Sequence, residues 1–262
     1  MSLKRVFFAG ALLLGVVSVL WGQREDLELQ QLCQDLASGR HPPSPAEFVF
    51  ARLQFTSHGP GRGPYRRPTP CGPLEGWAHD YPVAEQHLLQ LAGRYTRIHV
   101  DAGSYAIVRL DSRELFDHPF ALMSEVGEMT LTDREVANLR EYLNRGGFIV
   151  VDDFDSLNML WFDEQMKKVF PDRSFRPLTI EHGIFHALND IKSLKVESPY
   201  PQRGAPLFYG YFDDHGRLSM VLNVNNDLGD LWEWLDDPIY ALAPSIEGVR
   251  LGINYLLYSF AH

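Results

Sequence analysis

The apolar residues of this chain fall into two rhythms, short unbroken runs and helically spaced repeats, which alternate along its length. The clearest run is Phe148-Ile149-Val150-Val151. Four consecutive apolar residues, three of them β-branched, are expected of a parallel strand buried on both faces. Phe120–Met123 is a second such run, and Phe48–Phe55, Ile98–Val100 and Tyr105–Val108 are further extended candidates. Between the two clearest runs, Val136, Leu139, Tyr142 and Leu143 repeat at helical spacing behind Thr132-Asp133-Arg134-Glu135. That tetrad is a capping box, in which threonine and glutamate satisfy each other's backbone amides. Gly146 stands where a left-handed C-cap needs a glycine. Strand, helix and strand therefore make a βαβ unit, and its crossover is right-handed.

The remaining elements extend this α/β pattern. Asp80 reads as the N-cap, with Pro82 in the first turn, of a helix whose inward face is Val83, His87, Leu88 and Leu91. Met159–Phe170 reads as a helix stopped by Pro171, followed by a weak strand near Pro177–Ile180. Leu207–Phe212 and Leu218–Val224 flank the turn Asp213-Asp214-His215-Gly216 and predict an antiparallel hairpin at the sheet edge. Ser245–Phe260 is a last helix, with Val249, Ile253, Leu256 and Phe260 on one side. Gly248 and Gly252 there predict a close backbone approach. The expected fold class is α/β, with a mostly parallel sheet and an antiparallel edge hairpin.

The ends of the chain and its charge add boundaries. Lys4 and Arg5 precede Val6–Leu20, an uninterrupted apolar and small-residue stretch, too short for a membrane span and suited to an export leader. Residues 1–23 are thus expected to be a signal peptide, with an uncleaved anchor as the alternative, and the product to be periplasmic or extracellular. Residues 24–46 read as a polar helix with a Pro-rich lead-in, and residues 47–262 as one α/β domain. The formal charge of −10 repels phosphate backbones, so nucleic acid is not an expected partner. An unknown small ligand or an envelope protein is, with the membrane reached only through the N-terminal segment. Cys33 and Cys71 can form one disulfide, but nothing in the sequence fixes their distance, and two unpaired thiols are the reading slightly favoured.

Residues 56–76 hold five glycines and five prolines, with Arg62, Arg66 and Arg67 interspersed. They form either a flap over the sheet's carboxyl edge or a mobile insertion. No Gly-Lys-Ser/Thr follows, so this is not a phosphate-binding Walker loop.

In this order the chain resembles a bacterial family catalogued as domain of unknown function 4159. The resemblance is carried by the stretch from Glu47 to Leu53, Trp77-Ala78-His79-Asp80-Tyr81-Pro82, the stretch from Leu115 to Phe120, and Leu131 to Phe148. Val169–Asp172, His182–His186, Asn225–Asp230 and Leu251–Asn254 continue it. It implies a class I glutamine-amidotransferase-like, flavodoxin-like three-layer sandwich and brings no activity with it. Active members of that fold carry a cysteine on a strand-to-helix elbow. Here Ser124-Glu125 and Asp152-Asp153 follow the central strands instead, and Cys71 sits in a Pro/Gly loop. Glutaminase chemistry is therefore not expected, and no Gly-x-Ser-x-Gly elbow is present either.

Ligands of open α/β sheets bind beyond the carboxyl ends of the strands. The candidates for acid–base or cation chemistry there are Asp152, Asp153, Asp155, His79 and Asp80. Strand alternation would send Asp152 and Asp153 to opposite sides, leaving one beside Asp155. Trp77, Tyr81, Asn225, Asn226, Asp227 and Trp232 are candidates for holding a sugar or other polar ligand; each could equally serve turns or core. His182 and His186 lack the intervening glutamate of a metalloprotease motif, so no metal and no cofactor is expected. Three readings stay open: a ligand- or partner-binding module of the envelope, a carboxylate- or metal-assisted hydrolase, and a structural component of a membrane-associated assembly.

Overall fold

The computed structural model describes residues 23–40, 42, 48–57, 68–73, 75–196, 198, 204–238 and 240–262. The expected leader, apart from Gln23, lies outside them, as do Arg62, Arg66 and Arg67. Among the described residues, seven strands form one sheet: β1 (Phe50–Gln54), β2 (Tyr105–Arg109), β3 (Phe120–Ser124), β4 (Phe148–Phe154), β5 (Arg176–Pro177), β6 (Leu207–Phe212) and β7 (Leu218–Val224). Their spatial order is β2-β1-β3-β4-β7-β6-β5. The first five run parallel, whereas β6 and β5 are antiparallel to their neighbours. The parallel part follows the 2-1-3-4-5 order of flavodoxin-like sheets, with the order reversing at β1. The helices are α1 (23–38), α2 (Val83–Tyr95), α3 (Asp133–Asn144), α4 (Met159–Val169), α5 (Leu228–Glu233) and α6 (Leu242–Ala261). α2, α5 and α6 pack together and α3 packs on α4, which completes an α/β sandwich.

The β3–α3–β4 unit is built by local chemistry. Thr132 Oγ1 accepts from the Glu135 amide while Glu135 Oε2 accepts from the Thr132 amide. At the other end the Gly147 amide donates to Tyr142 and the Gly146 amide to Leu143. These are the two bonds of a Schellman motif, which requires positive φ at Gly146, and φ there is 102°.

Several expectations are corrected. Ile98–Val100 is not a strand, because β2 takes the β1 edge and leaves this run as connecting chain. Asp80 does not cap α2: it lies at φ 63°, the cap position is Pro82, and the Tyr81–Pro82 bond is cis. The helix consequently buries Ala84, Glu85, Leu88, Leu89 and Ala92 and leaves Val83, His87 and Leu91 half-buried. Cys33 and Cys71 are bonded, with Cα atoms 5.2 Å apart, so α1 is fastened to the loop before α2. Tyr81 Oη donates to Asp35 beside this bridge.

On α6, Gly248 lets Leu231 approach, and the Trp232 indole donates to the Gly248 carbonyl at 2.9 Å. A Cβ at Gly252 would stand 2.8 Å from Leu88 Cδ1 and 2.9 Å from Trp232 Cζ2. Gly252→Ala is therefore expected to destabilise the fold by about 1–3 kcal/mol, the usual effect of overpacking. A denaturant midpoint equal to that of the parent would show that α6 can retreat freely.

Candidate active site

Four strands of the parallel sheet contribute to one corner at its carboxyl edge. Among the described residues, four non-glycine residues have positive φ, and all four lie there: Asp80 (63°), Glu125 (52°), Asp153 (53°) and Asn225 (52°). Asp80 ends the connection from β1, Glu125 follows β3, Asp153 lies within β4, and Asn225 follows β7. Such conformations are uncommon outside glycine and concentrate where surrounding structure imposes them, often at functional sites.

The left-handed Asp153 also overturns the alternation argument. It coincides with a register shift between Val151 and Phe154, so Asp152 and Asp153 reach the same neighbourhood. Asp153 Oδ2 lies 2.8 Å from His79 Nδ1. Asp80 Oδ1 is 3.1 Å from the same nitrogen, yet a single ring N–H can serve only one of them well. Asp80 Oδ1 is accordingly buried without a hydrogen bond. Asp227 joins this set, and one ligand atom from each of His79, Asp80, Asp153 and Asp227 lies within 4.8 Å of the others. Asp80, Asp230 and Glu233 form an adjoining group by the same measure.

Each side chain is held by its own element. Asp227 accepts from the Asp230 amide and is the N-cap of α5. Asp152 Oδ2 accepts from the Leu228 and Gly229 amides at 2.8 and 2.9 Å, tying β4 to the start of α5. Gly229 leaves room for the Asp80 carboxylate, which a Cβ would meet head-on. His79 is placed from below by Arg52, fully buried in β1, whose Nη1 donates to the carbonyls of Trp77 (3.2 Å) and His79 (2.8 Å). Its Nε pairs with Glu85 at 2.5 Å.

The electrostatics of this corner are strained in one direction. Burial pushes the carboxyls of Asp80 and Asp227 well above the usual range, opposed at Asp80 by His79 and reinforced at both by neighbouring acids. Burial raises Asp152 to about 7 despite its two backbone donors, and raises Glu125 and Glu233 to about 8, each with neighbouring acids adding to it. Asp230 moves up for the same reason. Clusters of perturbed carboxyls at a strand edge mark candidate functional sites.

The sequence candidates separate cleanly. His79, Asp80, Asp153 and Asp227 converge, with Asp152 behind them. Asp155 does not join them: its Oδ1 accepts from the Leu157 and Asn158 amides and caps the turn into α4. Trp77 is 2% exposed, with its indole on Glu75, and Trp232 is 1% exposed, so neither presents a ring to a ligand. Tyr81 is equally buried on Asp35. Asn225 holds the Ser156 amide and the Ala205 carbonyl, and Asn226 accepts from the Asp227 amide; both are turn residues. Asp230 and Glu233 belong in sequence to the polar cluster around Asn225–Asp227 and adjoin Asp80, while Glu125, which directly follows a central strand, carries no other mark in the sequence. Gly76 makes the space for Glu125, since a Cβ there would stand 2.6 Å from the Glu125 Cβ.

Comparison with curated proteins finds no match. A family model described as domain of unknown function (DUF4159) matches residues 71–260, a span that includes His79, the acidic corner and both close-approach glycines of α6. By that match, over well more than half of its length, the chain belongs to the DUF4159 family.

Proposed function

We propose that this chain is a non-amidotransferase α/β domain whose working site is the acidic corner around His79, used for carboxylate- or metal-assisted hydrolysis. The observation that carries the reading is the concentration of strain at one place. Buried carboxylates with raised proton affinity and four left-handed residues meet where ligands of such sheets bind. Asp152, Asp227 and Asn225 also hold backbone, but the unpartnered Asp80 oxygen and the left-handed Asp80, Glu125 and Asp153 oppose stability, and such arrangements are retained where chemistry uses them.

The absence of amidotransferase chemistry is supported by the cysteines. The chain has two, and they are joined to each other, while the β3 elbow presents Glu125. Glu125 occupies the position directly after β3 in the left-handed conformation, φ 52° and ψ 43°, and runs into a short 3₁₀ turn. Its carboxyl, pushed up to about 8, is a neutral acid at pH 7 that can donate a proton to a leaving group. A stacking site for sugars loses its support once Trp77 and Trp232 are core residues. Placement of the protein outside the cytoplasm rests on the N-terminal apolar stretch alone.

The reading is tested by neutralising the corner. Asn tolerates positive φ and keeps the acceptor that Asp153 offers His79, so Asp153→Asn removes charge and little else. In chelator, its melting temperature is expected to rise by about 2–4 °C, corresponding to roughly 1 kcal/mol in a domain of this size. Hydrolysis of a panel of chromogenic phosphate esters, carboxylate esters and glycosides should fall at least ~100-fold in the same variant and in Glu125→Gln. A lower melting temperature in Asp153→Asn, with no activity difference on any panel member, would assign the cluster to structure instead.

A further inference from the structure

We propose that His79, Asp80, Asp153 and Asp227 bind one divalent transition-metal ion, of the Mn²⁺ to Zn²⁺ class, at the carboxyl edge of the sheet. The inference rests on the reading above and names the group that assists the hydrolysis. It replaces the expectation, drawn from sequence motifs alone, that no metal is bound.

Three observations carry it. The first is geometric: one atom from each of the four side chains lies within 4.8 Å of all the others, and donors opposite one another across an ion at 2.0–2.2 Å are separated by about 4–4.4 Å. The set comes from three places far apart in sequence, held by the Arg52 anchor, the bulge in β4 and the cap of α5. The second is the Asp80 carboxylate. Its side chain is 2% exposed, and Oδ1 is buried beside His79 without a hydrogen bond. A buried carboxylate oxygen without a donor is costly, and a cation at the centre of the set would satisfy it. The third is access. The His79 and Asp153 side chains are 21% and 13% exposed, so one side of the set opens outward while Asp80 and Asp227 close the other.

The donor set selects the class of ion. One imidazole nitrogen with three carboxylate oxygens suits Mn²⁺, Fe²⁺ or Zn²⁺, whereas Ca²⁺ and Mg²⁺ favour all-oxygen shells. Asp152 sits one layer behind: its Oδ2 holds the Leu228 and Gly229 amides and so fixes the turn that presents Asp227. Asp230 and Glu233 adjoin Asp80 and add negative potential from the inner side. Glu125 remains outside the ligand set and is left to move a proton at the ion's open side. A water on the ion would be the nucleophile, giving its proton to a neighbouring carboxylate as it attacks, and Glu125 would protonate the departing oxygen.

The experiment uses the full chain treated with a chelator and then dialysed. MnCl₂, ZnCl₂ and MgCl₂ are added separately, and melting temperature, calorimetric stoichiometry and the Mn²⁺ paramagnetic resonance signal are recorded. One Mn²⁺ or Zn²⁺ per chain is expected, with a raised melting temperature and a smaller response to Mg²⁺. Asp227→Asn keeps the helix cap, and His79→Gln keeps a polar side chain; each is expected to weaken Mn²⁺ binding by at least ~10-fold. The exposed Asp172→Asn should bind as the parent does. No response to Mn²⁺ or Zn²⁺, or undiminished Mn²⁺ binding in both Asp227→Asn and His79→Gln, overturns the metal site. If that happens while Asp153→Asn still raises the melting temperature and abolishes ester hydrolysis, the metal fails and carboxylate-assisted hydrolysis stands. If neither occurs, both fall.

Discussion

Replacing Arg52 with methionine is expected to lower the melting temperature by roughly 6–20 °C, the largest single-site effect in this protein. The estimate follows from about 3–5 kcal/mol for removing one partner of a buried ion pair, at 2–4 °C per kcal/mol for a chain of this size. Arg52 has no exposed surface and Glu85 is 1% exposed, so the substitution strands a carboxylate in the interior. It also releases the carbonyls of Trp77 and His79, both of which accept from Nη1 of the guanidinium. The consequence reaches the site, because that pair of carbonyls fixes the turn on which His79 sits.

Two further variants separate these contributions. Arg52→Met with Glu85→Gln removes the stranded charge and is expected to recover part of the loss in stability. It should not recover the site, since the carbonyls of Trp77 and His79 stay unpaired. Thermal melts of the single and double variants decide the matter. A single variant within about 2 °C of the parent would mean that water reaches Glu85 and that the pair is dispensable.

The same residue shows which parts of this molecule could be read from sequence. The apolar content of β1 marks it as a strand, but a buried arginine inside it carries no local mark. Its partner Glu85 is 33 residues away, on a helix whose inward face shifts once Pro82 rather than Asp80 becomes the cap. The β3–α3–β4 unit is legible in full because its determinants are local: a capping box four residues wide and a glycine at the position that needs positive φ. The hairpin of β6 and β7 was legible for the same reason, through Gly216 at φ 80°.

The site was half legible. His79, Asp80, Asp152, Asp153 and Asp227 could each be named from residue type and from their place after strands or loops. Their convergence could not, because it depends on Asp153 leaving the pleat, and aspartate in a strand does not announce a left-handed conformation. Trp77 and Trp232 show the opposite failure. An indole beside carboxamides reads equally as a sugar platform or as core, and only the packing against Gly248 and Gly252 decides for Trp232. The Cys33–Cys71 bond likewise depends on where α1 lies, which no pattern within 38 residues of chain reveals.

The corner's acidity leads to an unusual pH profile for the metal-free protein. Glu125 and Glu233 have carboxyls pushed up to about 8, and Asp152 one pushed up to about 7, each chiefly by burial. Glu125 faces Asp153, Glu128, Asp155 and His79, and Glu233 faces Glu28, Asp230, His79 and Arg24. An acid whose proton affinity is higher in the folded state binds more protons there than in the unfolded chain. For the two glutamates this contribution to stability is complete below the unfolded value of 4.5 and is lost as pH rises through the folded value. Stability should therefore fall between about pH 5 and pH 8, where most proteins hold a plateau. Below this window the opposite class takes over: Asp213, lowered by its Arg217 and backbone partners, loses its contribution as pH falls through its folded value. In chelator, the melting temperature is expected to peak near pH 5 and to drop by about 5–10 °C by pH 8, allowing roughly 2–3 kcal/mol for groups that relax and share protons. In Glu125→Gln and Glu233→Gln the slope should flatten, since glutamine keeps the shape and cannot ionise. A profile that rises from pH 5 to pH 8 in chelator, unchanged in both variants, would show that water solvates these carboxyls and that the corner is not the desolvated acid cluster described.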